Sequence, residues 1–222
     1  VFKMITYKGE KEKNLDKFVA LFGVGKASTK KVLMRAKNIY IDKSHFTITD
    51  KNGKIPKILD LSKINGEFSN FQIYGPDLTI NIKKMAFQDH RGLYVENLKT
   101  NFTYTGKFMK LENLDLLTKE SFLKGNVILN YNKKDFADFV NKVLFDVKID
   151  SASVGTNDIY HFYKELEKNQ HFKLSSVIKG TLNDCYASKL KLEEKRNSKL
   201  LGDVNLRNLF GKQGQNCGMK GN

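Results

Sequence analysis

Four histidines are the first candidates for chemistry, because an imidazole can bind a metal ion or act as a general base. His45, His90, His161 and His171 are scattered along the 222-residue chain, without the spacing of ligands that share one metal ion. Each is therefore interpreted as an isolated side chain, either exposed or bonded locally. We expect no metal site.

Carboxylates are the second candidates, since paired acids in an apolar pocket perform general acid–base catalysis. Glu112 and Asp115 instead alternate with apolar residues on what would be the hydrophilic side of a strand. The chain also has no Ser-His-Asp arrangement at recognisable spacing, no nucleophile elbow and no complete nucleotide loop. We therefore expect a protein that is not an enzyme and has no cofactor.

One glycine-rich segment, GVGKASTKK at Gly23–Lys31, resembles two nucleic-acid or nucleotide-binding motifs. As a P-loop it lacks the early glycine, because Ala20 stands there, and Ala27 replaces the hydroxyl residue that holds magnesium. A DNA-binding helix–hairpin–helix fits better, but the chain becomes strand-like by Arg35 and leaves little room for its second helix. A flexible linker after a short helix at Asn14–Phe22 is the interpretation we favour.

The formal charge of +15 also raises the question of nucleic acid. Phosphate and base recognition favours the arginine fork, whereas nearly all of the positive charge here is lysine. The lysines are spread over many predicted strands, where they also discourage aggregation of sheet edges. We favour a solvated surface and expect no nucleic-acid partner, and we keep nucleic-acid binding through Gly23–Lys31 as an alternative. The arginines are Arg35, Arg91, Arg196 and Arg207.

The two cysteines are far apart in the sequence. Cys185 occupies a position where the surrounding pattern favours leucine, and Cys217 lies in a glycine-rich tail. A small buried apolar side chain is the better interpretation of Cys185. The sequence leaves a disulfide between the two open.

The elements that would position these residues are indicated by the stretch Leu78–Tyr131, where apolar and polar residues alternate. Because successive side chains of a strand point to opposite faces, the alternation predicts a sheet with one apolar and one hydrophilic face. The phase shifts by one residue at Asn97-Leu98 and Asn113-Leu114, which is typical of a β-bulge. Asn38-Ile39 and Asn70-Phe71 have the same form and are assigned the same role.

An alternating pattern from Ser121 to Leu129, with Gly125 at its centre, recurs from Ser198 to Leu206. Similar patterns at irregular intervals predict stacked repeats, each of which buries its apolar face against its neighbours. Gly180 and Gly202 also fall on apolar positions, where a missing side chain leaves room for a ligand or for tight curvature.

Local signals assign further strands and turns. Val1–Tyr7 is consistent with a strand, and the sheet proper begins at Val32. Turns are predicted at Asp42-Lys43 and at Gly75-Pro76-Asp77, and Asp50–Lys54 contains an Asn-Gly hairpin signal.

Two helices interrupt the alternation. Lys133–Lys142 has apolar residues at helical spacing and predicts a short helix at the rim of the sheet. Thr156–Lys168, capped by Thr156 or Asn157, is the strongest helix prediction, with an apolar stripe that includes Ile159 and Phe162. An inert rim helix, a lid over a groove and a partner-docking face are its three open roles, and we favour the rim helix.

Three phrases carry a family resemblance: RAKNIYIDKSHFTITDKN, NLDLLTKESFLKGNVILNY and GTLNDCYASKLKLEEKRNSKLLGDVNLRNL. They resemble TamB and its AsmA-like relatives, the translocation and assembly module proteins of the bacterial envelope, over about Arg35–Leu209. The resemblance implies a mainly β fold, a long curved open sheet of antiparallel stacked strands that forms an apolar groove (β-taco-like), with a few short rim helices. It rests on repeated texture and not on any catalytic residue.

The resemblance also implies a function and a location. We expect a non-catalytic periplasmic groove that carries phospholipid between the inner and outer membranes and supports outer-membrane assembly, with a BamA/TamA-type barrel protein as partner. No stretch approaches the ~18 apolar residues of a membrane span and no signal peptide opens the chain. We therefore expect an internal piece of a longer protein, whose inner-membrane anchor is not in this chain.

Three regions follow from these assignments: an amino-terminal helix and linker at 1–31, the groove repeats at 32–210 and an unassigned glycine-rich tail at 211–222. A scaffold for an outer-membrane barrel partner, without lipid transport, is the structural alternative. The predicted groove lining is Ile39, Ile41, Phe46, Ile48, Leu78, Ile80, Ile82, Phe87, Val95, Leu98, Phe102, Tyr104, Leu114, Leu116, Leu123, Val127, Leu129, Phe145, Val147, Leu174, Ile178, Val204 and Leu206.

Overall fold

A computed structural model describes residues 1–11, 14, 33–52, 57–194, 198–209 and 216–220. In these residues a 12-stranded sheet places every strand beside its neighbours in sequence, with β1 and β12 as its two edges. β1 pairs parallel with β2, and each later pair is antiparallel. The prediction of a mainly β, open and largely antiparallel sheet is therefore confirmed. The strands are β1 Phe2–Thr6, β2 Leu33–Asp50, β3 Lys57–Tyr74, β4 Asp77–Asp89, β5 Tyr94–Tyr104, β6 Phe108–Thr118, β7 Phe122–Asn130, β8 Leu144–Gly155, β9 His171–Gly180, β10 Cys185–Glu194, β11 Lys199–Arg207 and β12 Asn216–Lys220.

The strands become shorter along the sheet. β2 and β3 have 18 residues each, β4 has 13, β5 and β6 have 11 and β7 has 9. At about 3.4 Å per residue the sheet is about 60 Å across at β2 and about 30 Å across at β7. β8 to β11 remain close to the shorter length, at 12, 10, 10 and 9 residues.

Tight turns connect most strands. Gly75 takes the positive φ of 60° that the β3–β4 turn requires, as the Gly-Pro-Asp signal predicts. Thr105, Thr118 and Thr181 close three later turns, and the side-chain oxygen of each accepts a hydrogen bond from the backbone N–H three residues on, at 3.0, 2.8 and 3.0 Å. These hydroxyls satisfy backbone donors that the turns would otherwise leave free.

The predicted bulges are mostly confirmed. The pairing register shifts beside Asn97, between Leu111 and Leu114 around Asn113, and between Ser69 and Gln72 around Asn70. Asn70 and Asn113 have φ near +53°, a left-handed conformation that asparagine tolerates better than most residues. The bulge assigned to Asn38-Ile39 is wrong, because β2 and β3 stay in register there.

The turn predicted at Asp42-Lys43 is also wrong. β2 continues through both residues to Asp50. Lys43 has a φ of 46° and lies where the β2–β3 register shifts, so the local break in alternation is a bulge inside a long strand. The next predicted turn is confirmed where it is described: Lys51 and Asn52 turn, and the backbone N–H of Asn52 bonds to Asp50 Oδ1 at 2.9 Å.

Short helical segments lie at both ends of β8. A 3-10 helix at Lys133–Asp138, called η1, leads into α1 at Phe139–Lys142, which confirms the predicted helical insertion between β7 and β8. α2 spans only Thr156–Tyr160. The prediction of a helix as far as Lys168 is therefore wrong.

The helix α2 ends early because its first residues hold the returning chain. The backbone N–H groups of Phe162 and Tyr163 both bond to Ile159 O, at 2.8 and 2.9 Å, which closes the last turn. The side chains of Thr156 and Asn157 accept hydrogen bonds from the backbone of Gln170 and Asn169, at 3.0 and 3.1 Å. The two predicted capping side chains thus fasten the β8–β9 connection, and the N-cap position belongs to Gly155.

The sheet extends beyond the range 32–210 on both sides. β1 confirms the strand predicted at Val1–Tyr7, and β12 pairs with β11 within the glycine-rich tail. The predicted helix at Asn14–Phe22 and the Gly23–Lys31 segment lie outside the described residues, apart from Asn14. Among the helices of the described part, none has the length and apolar character to cross a membrane.

Candidate functional site: the apolar face of the sheet

The strand register places the predicted lining residues on one face. Directly opposed residues of an antiparallel pair point to the same side, so successive pairs can be followed from strand to strand. Three such rows cross the sheet. They are Ile80–Phe102–Leu111–Val127–Val147–Ile178–Ala187–Val204, Leu78–Tyr104–Met109–Leu129–Phe145–Gly180–Cys185–Leu206, and Leu98–Leu116–Leu123–Ala152–Leu174–Leu192–Leu200.

A fourth row, called the central row, lies between the row that contains Leu98 and the row that contains Phe102, and it is the most buried of the four. Its pairs run from Phe68 through Ile82 to Thr100, and from Leu114 through Gly125 and Ile149 to Ser176. Phe68, Leu114 and Ile149 are buried, and Thr100 and Ser176 retain only 2% and 4% of their exposed surface. Of the predicted lining only Val95, Leu114 and Val204 are buried, whereas the rest are half-buried.

Bulges in β6 and β10 adjoin the central row, and a similar bulge lies further along β2. In β2, β6 and β10 the bulge residues Lys43, Asn113 and Lys189 all have positive φ. The backbone N–H of each donates to a side-chain oxygen on the next strand. The acceptors are Asn65 Oδ1 at 3.0 Å, Asn126 Oδ1 at 2.9 Å and Asp203 Oδ1 at 2.9 Å. We call each such pair of bulge and acceptor a bulge latch. Successive latches are four strands apart, in β2, β6 and β10.

Hydroxyl groups from the preceding strand complete two of the bulge latches. Thr100 Oγ1 donates to Glu112 O at 2.9 Å, and Ser176 Oγ donates to Ser188 O at 3.0 Å. Each acceptor carbonyl belongs to the residue just before the bulge residue. The polar groups within the apolar face are therefore satisfied by the backbone, and the burial of these hydroxyls carries no unpaired donor.

Glycines allow close approach along the same face. A Cβ on Gly125 would lie 2.0 Å from Lys148 O, so β7 and β8 could not pair as they do with any larger residue. Gly180 has a φ of 129° and a Cβ there would lie 2.4 Å from Asp184 O. Gly202, with φ of 144°, has open space around it. Close approach of neighbouring backbone therefore requires glycine at positions 125 and 180. At position 202 only the positive φ favours glycine.

At the β1–β4 end the apolar face contains a cavity of about 620 Å³. Phe2 and Phe46 stack there with ring centroids 5.6 Å apart. The strands are longest in this region, so the apolar face is also widest here. Other apolar lining residues of the cavity are Val1, Ile41, Leu61, Ile64, Phe68 and Met85.

The β7–β8 insertion (η1 and α1) covers one end of the apolar face. Tyr104 and Phe145 belong to an apolar row, and three aromatic rings of the β7–β8 connection join them. The ring centroids are 6.5 Å apart for Tyr104–Tyr131, 4.6 Å for Tyr131–Phe136, 6.2 Å for Phe136–Phe139 and 5.8 Å for Phe139–Phe145. We call these five residues the aromatic cluster. Burial, with the neighbouring Tyr104 ring as a smaller cause, raises the pKa of Tyr131 to about 12, and its hydroxyl donates to Thr105 O at 2.9 Å.

The β8–β9 connection (residues 156–170) covers the opposite end. Asp158 Oδ2 accepts hydrogen bonds from Thr118 Oγ1 at 2.6 Å and from Ser121 Oγ at 2.5 Å. Thr118 pairs with Val95 on the apolar face, and both are buried. The connection then reaches the β4–β5 turn, where Arg91 lies 4.1 Å above the Phe162 ring.

An ion pair stabilises that β4–β5 turn. Arg91 Nε and Nη2 donate to both carboxylate oxygens of Asp89, at 2.7 and 2.8 Å. The Asp89 side chain is only 4% exposed. The hydrogen bonds from Arg91 outweigh burial and hold the pKa of Asp89 below its usual value.

The opposite face is largely polar, with exposed apolar side chains such as Tyr40, Ile58 and Leu201 among its charged residues. Ion pairs join neighbouring strands there, including Lys179 Nζ to Asp146 Oδ2 at 3.0 Å and Lys124 Nζ to Asp115 Oδ2 at 3.6 Å. Asp115 is thus a surface partner of lysine, as its place in the alternation predicts. Within the described strands the lysines are spread over several strands and form no single block.

Two of the four histidines, His90 and His161, lie at the same β4–β5 turn, and His45 lies elsewhere, in β2. His45 Nε2 lies 2.6 Å from Asp60 Oδ1, His90 lies beside Asp89, and His161 Nδ1 lies 2.9 Å from Arg91 O. In the described part of the chain no three His, Cys, Asp or Glu side chains are close enough to hold a metal ion.

Cys185 is half-buried and free, and burial raises the pKa of its thiol. Leu206 pairs with Cys185 on one side and with Cys217 on the other, so the two cysteines are two strands apart. At about 4.8 Å per strand this separation exceeds the reach of a disulfide.

Several face residues are absent from the predicted lining. Leu111 and Met109 alternate correctly in the sequence and could have been included. Thr100 and Ser176 are polar, and Ala152 and Ala187 are small. Residue type alone therefore does not indicate that they lie on the apolar face. Counting positions from each bulge would have placed all six on the apolar face.

No protein-family model, no curated protein and no solved structure matches this chain.

Proposed function

We propose that the chain is a non-catalytic hydrophobic groove that holds the acyl chains of phospholipids and lets them pass along the sheet. The observation that carries the proposal is the buried central row in a single sheet. In a single layer, residues of one face become buried only when neighbours on the same face close over them. The burial of Thr100, Leu114 and Ser176 therefore supports a concave apolar face.

The size of the face suits an acyl chain. Eight residues of strand span about 26 Å at ~3.3 Å each, comparable to an extended fatty tail. Each methylene removed from water contributes about 0.8 kcal/mol, so a diacyl lipid would be strongly favoured there. Because similar apolar rows recur from strand to strand, a lipid that moves along the groove exchanges one set of contacts for an equivalent set.

The location and partners rest on the resemblance to the TamB and AsmA-like proteins. It supports a periplasmic protein whose longer form is anchored in the inner membrane and contacts an outer-membrane barrel protein of the BamA/TamA type. The half-buried state of most lining residues leaves apolar area that an acyl chain could cover. The lysine-rich opposite face would be solvated.

Photocrosslinking at two adjacent positions tests the proposal. Phe102 lies on the apolar face, whereas Thr103 pairs with Thr79 and Lys110 on the hydrophilic face. A photoreactive residue at position 102 should capture phospholipid from vesicles of phosphatidylethanolamine and phosphatidylglycerol, and the same residue at position 103 should capture little. Mass spectrometry of the adduct identifies the lipid.

Equal capture at positions 102 and 103 would refute a one-sided groove. Absence of lipid at both positions, together with capture of a protein partner at position 102, would favour the scaffold alternative. Salt-sensitive binding of DNA to the purified chain, without lipid capture, would favour the nucleic-acid alternative.

A further inference from the structure

The two longest connections among the described strands β3 to β10 are attached to the same strand. The β7–β8 insertion precedes β8 and the β8–β9 connection follows it, so they lie at opposite ends of the same strands. Both approach the apolar face: the first through Phe139 against Phe145, and the second through Asp158 against Thr118. The other turns of this part of the sheet are short and leave the face uncovered at its rims.

Each connection extends over several strands. The β7–β8 insertion reaches the β5–β6 turn through the Tyr131 hydroxyl, and reaches the β9–β10 turn through a hydrogen bond from Asn183 N to Val140 O at 3.1 Å. The β8–β9 connection reaches the β4–β5 turn, where His161 Nδ1 lies 2.9 Å from Arg91 O. Together they cover both rims of the apolar face from β5 to β9.

The face is also short where it is covered. β7 has 9 residues, whereas β2 and β3 have 18. The cavity of about 620 Å³ lies at the wide end, among residues of β1 to β4. The coverings of the two rims therefore coincide at β8, the strand to which both connections are attached.

We propose that this coincidence is a gate: the β7–β8 insertion must lift from the apolar face before a lipid can pass between the β1–β4 side and the β9–β12 side. The inference rests on the proposed lipid groove and adds its regulation. The insertion is held by the aromatic cluster, by the buried Val143 at its end and by three hydrogen bonds to the backbone: Tyr131 Oη to Thr105 O, Tyr131 N to Lys107 O, and Asn183 N to Val140 O. Phe136, at its apex, is 44% exposed, so its contacts are the readiest to open.

A reversible bridge tests the gate. Lys107→Cys, on the exposed β5–β6 turn, and Phe136→Cys, in a chain that also carries Cys185→Ser and Cys217→Ser, would be joined by a reducible bifunctional thiol reagent. Photoreactive residues at Ile80 in β4 or Val204 in β11 would then report phospholipid from the same vesicles on either side of the gate. The matched control bridges Asp146→Cys to Lys179→Cys, an ion-paired position on the hydrophilic face.

With the gate bridged, we expect lipid capture to fall about tenfold on one side of β8 and to stay unchanged on the other. The bridge removes the molecules in which the insertion is lifted, and lipid can pass only in those molecules. Reduction should restore capture, and the control bridge should have no effect. Phe136→Ala, without any bridge, should speed the arrival of lipid on the slower side.

Equal capture at Ile80 and Val204 with the bridge in place would overturn the gate and leave the lipid groove intact. Absence of capture at both positions in the reduced protein would instead overturn the lipid groove itself. An unchanged rate of arrival in Phe136→Ala would also count against the gate.

Discussion

Thr100 and Ser176 are hydroxyl residues in the middle of an apolar face, and both are almost completely buried. Burial of an unpaired hydroxyl would cost a few kcal/mol, but each of these donates to a backbone carbonyl at a bulge. Each acceptor residue is still paired with the neighbouring strand, Glu112 with Asn101 and Ser188 with Val177, directly before the residue at which the register shifts. The hydroxyl therefore supplies a hydrogen-bond donor to the carbonyl beside the bulge.

The pair of Asp89 and Arg91 gives a prediction about pH. Arg91→Gln removes the charged donor and leaves a buried carboxylate, so we expect a loss of about 1–2 kcal/mol at pH 7, reduced from the buried-pair value because Arg91 is partly exposed. The folded pKa of Asp89 lies below its unfolded value, so this stabilisation is present above about pH 4 and is lost as pH falls through the folded pKa. Urea unfolding at pH 7 and pH 3 measures both quantities.

Lys124→Gln is the control for that measurement. Lys124 and Asp115 are exposed and 3.6 Å apart, so the substitution should leave stability unchanged within error at both pH values. A cost for Arg91→Gln that persists undiminished at pH 3 would contradict the role assigned to the carboxylate.

At the scale of elements, the bulge latches explain how long strands stay paired across a bend. Asn126 accepts the backbone N–H of Asn113 at 2.9 Å, and this donor has left the regular ladder. Asn126→Ala should cost about 1 kcal/mol, the usual net value of one hydrogen bond. The cost should be accompanied by faster amide hydrogen exchange at Asn113, which two-dimensional NMR can follow.

Asn101→Ala is the matched substitution, since Asn101 is an exposed asparagine on the hydrophilic face of β5. It should leave both stability and the exchange rate at Asn113 unchanged. Equal exchange rates in the two variants would mean that the asparagine side chain does not hold the bulge.

The strands themselves were predictable because their alternation is sustained and the face they form is apolar on one side. The bulges at Asn97 and Asn113 were also predictable, since a doubled interval between apolar residues leaves a trace in the sequence. Lys43 left the same trace, which was wrongly interpreted as a turn. Whether the chain reverses or bulges there depends on the partner strand, which local sequence does not specify.

The extent of α2 was not predictable for a similar reason. The stripe in Thr156–Lys168 has helical spacing, but Thr156 and Asn157 bond to the returning backbone near Gln170. These tertiary contacts override the local preference. Burial of Thr100 likewise depends on the bend of the sheet, and residue type gives no indication of it.

At the scale of the whole molecule, the two faces of the sheet differ in chemistry, and a charge should be tolerated on only one of them. Ile80→Arg places a guanidinium on the apolar face beside Phe102, where its desolvation opposes the passage of acyl chains. We expect lipid capture at position 102 to fall about tenfold, which corresponds to 1.4 kcal/mol. Capture is measured with the photoreactive residue described above.

Asn81→Arg supplies the comparison, because Asn81 pairs with Asn101 on the hydrophilic face. It adds the same charge one residue away and should leave capture at position 102 unchanged. Circular dichroism of both variants separates a blocked groove from an unfolded chain. Equal losses in two folded variants would show that overall charge, and not the apolar face, controls lipid capture.

The spacing of the bulge latches has a consequence for how such a chain can grow. Each latch is complete within two or three adjacent strands, and the sheet needs no closing contact between its ends. A duplicated block of four strands would therefore contain its own bulge latch and would leave the contacts of the existing strands unchanged. The number of strands in the sheet could then be adjusted by copy number alone, without redesign of any single unit.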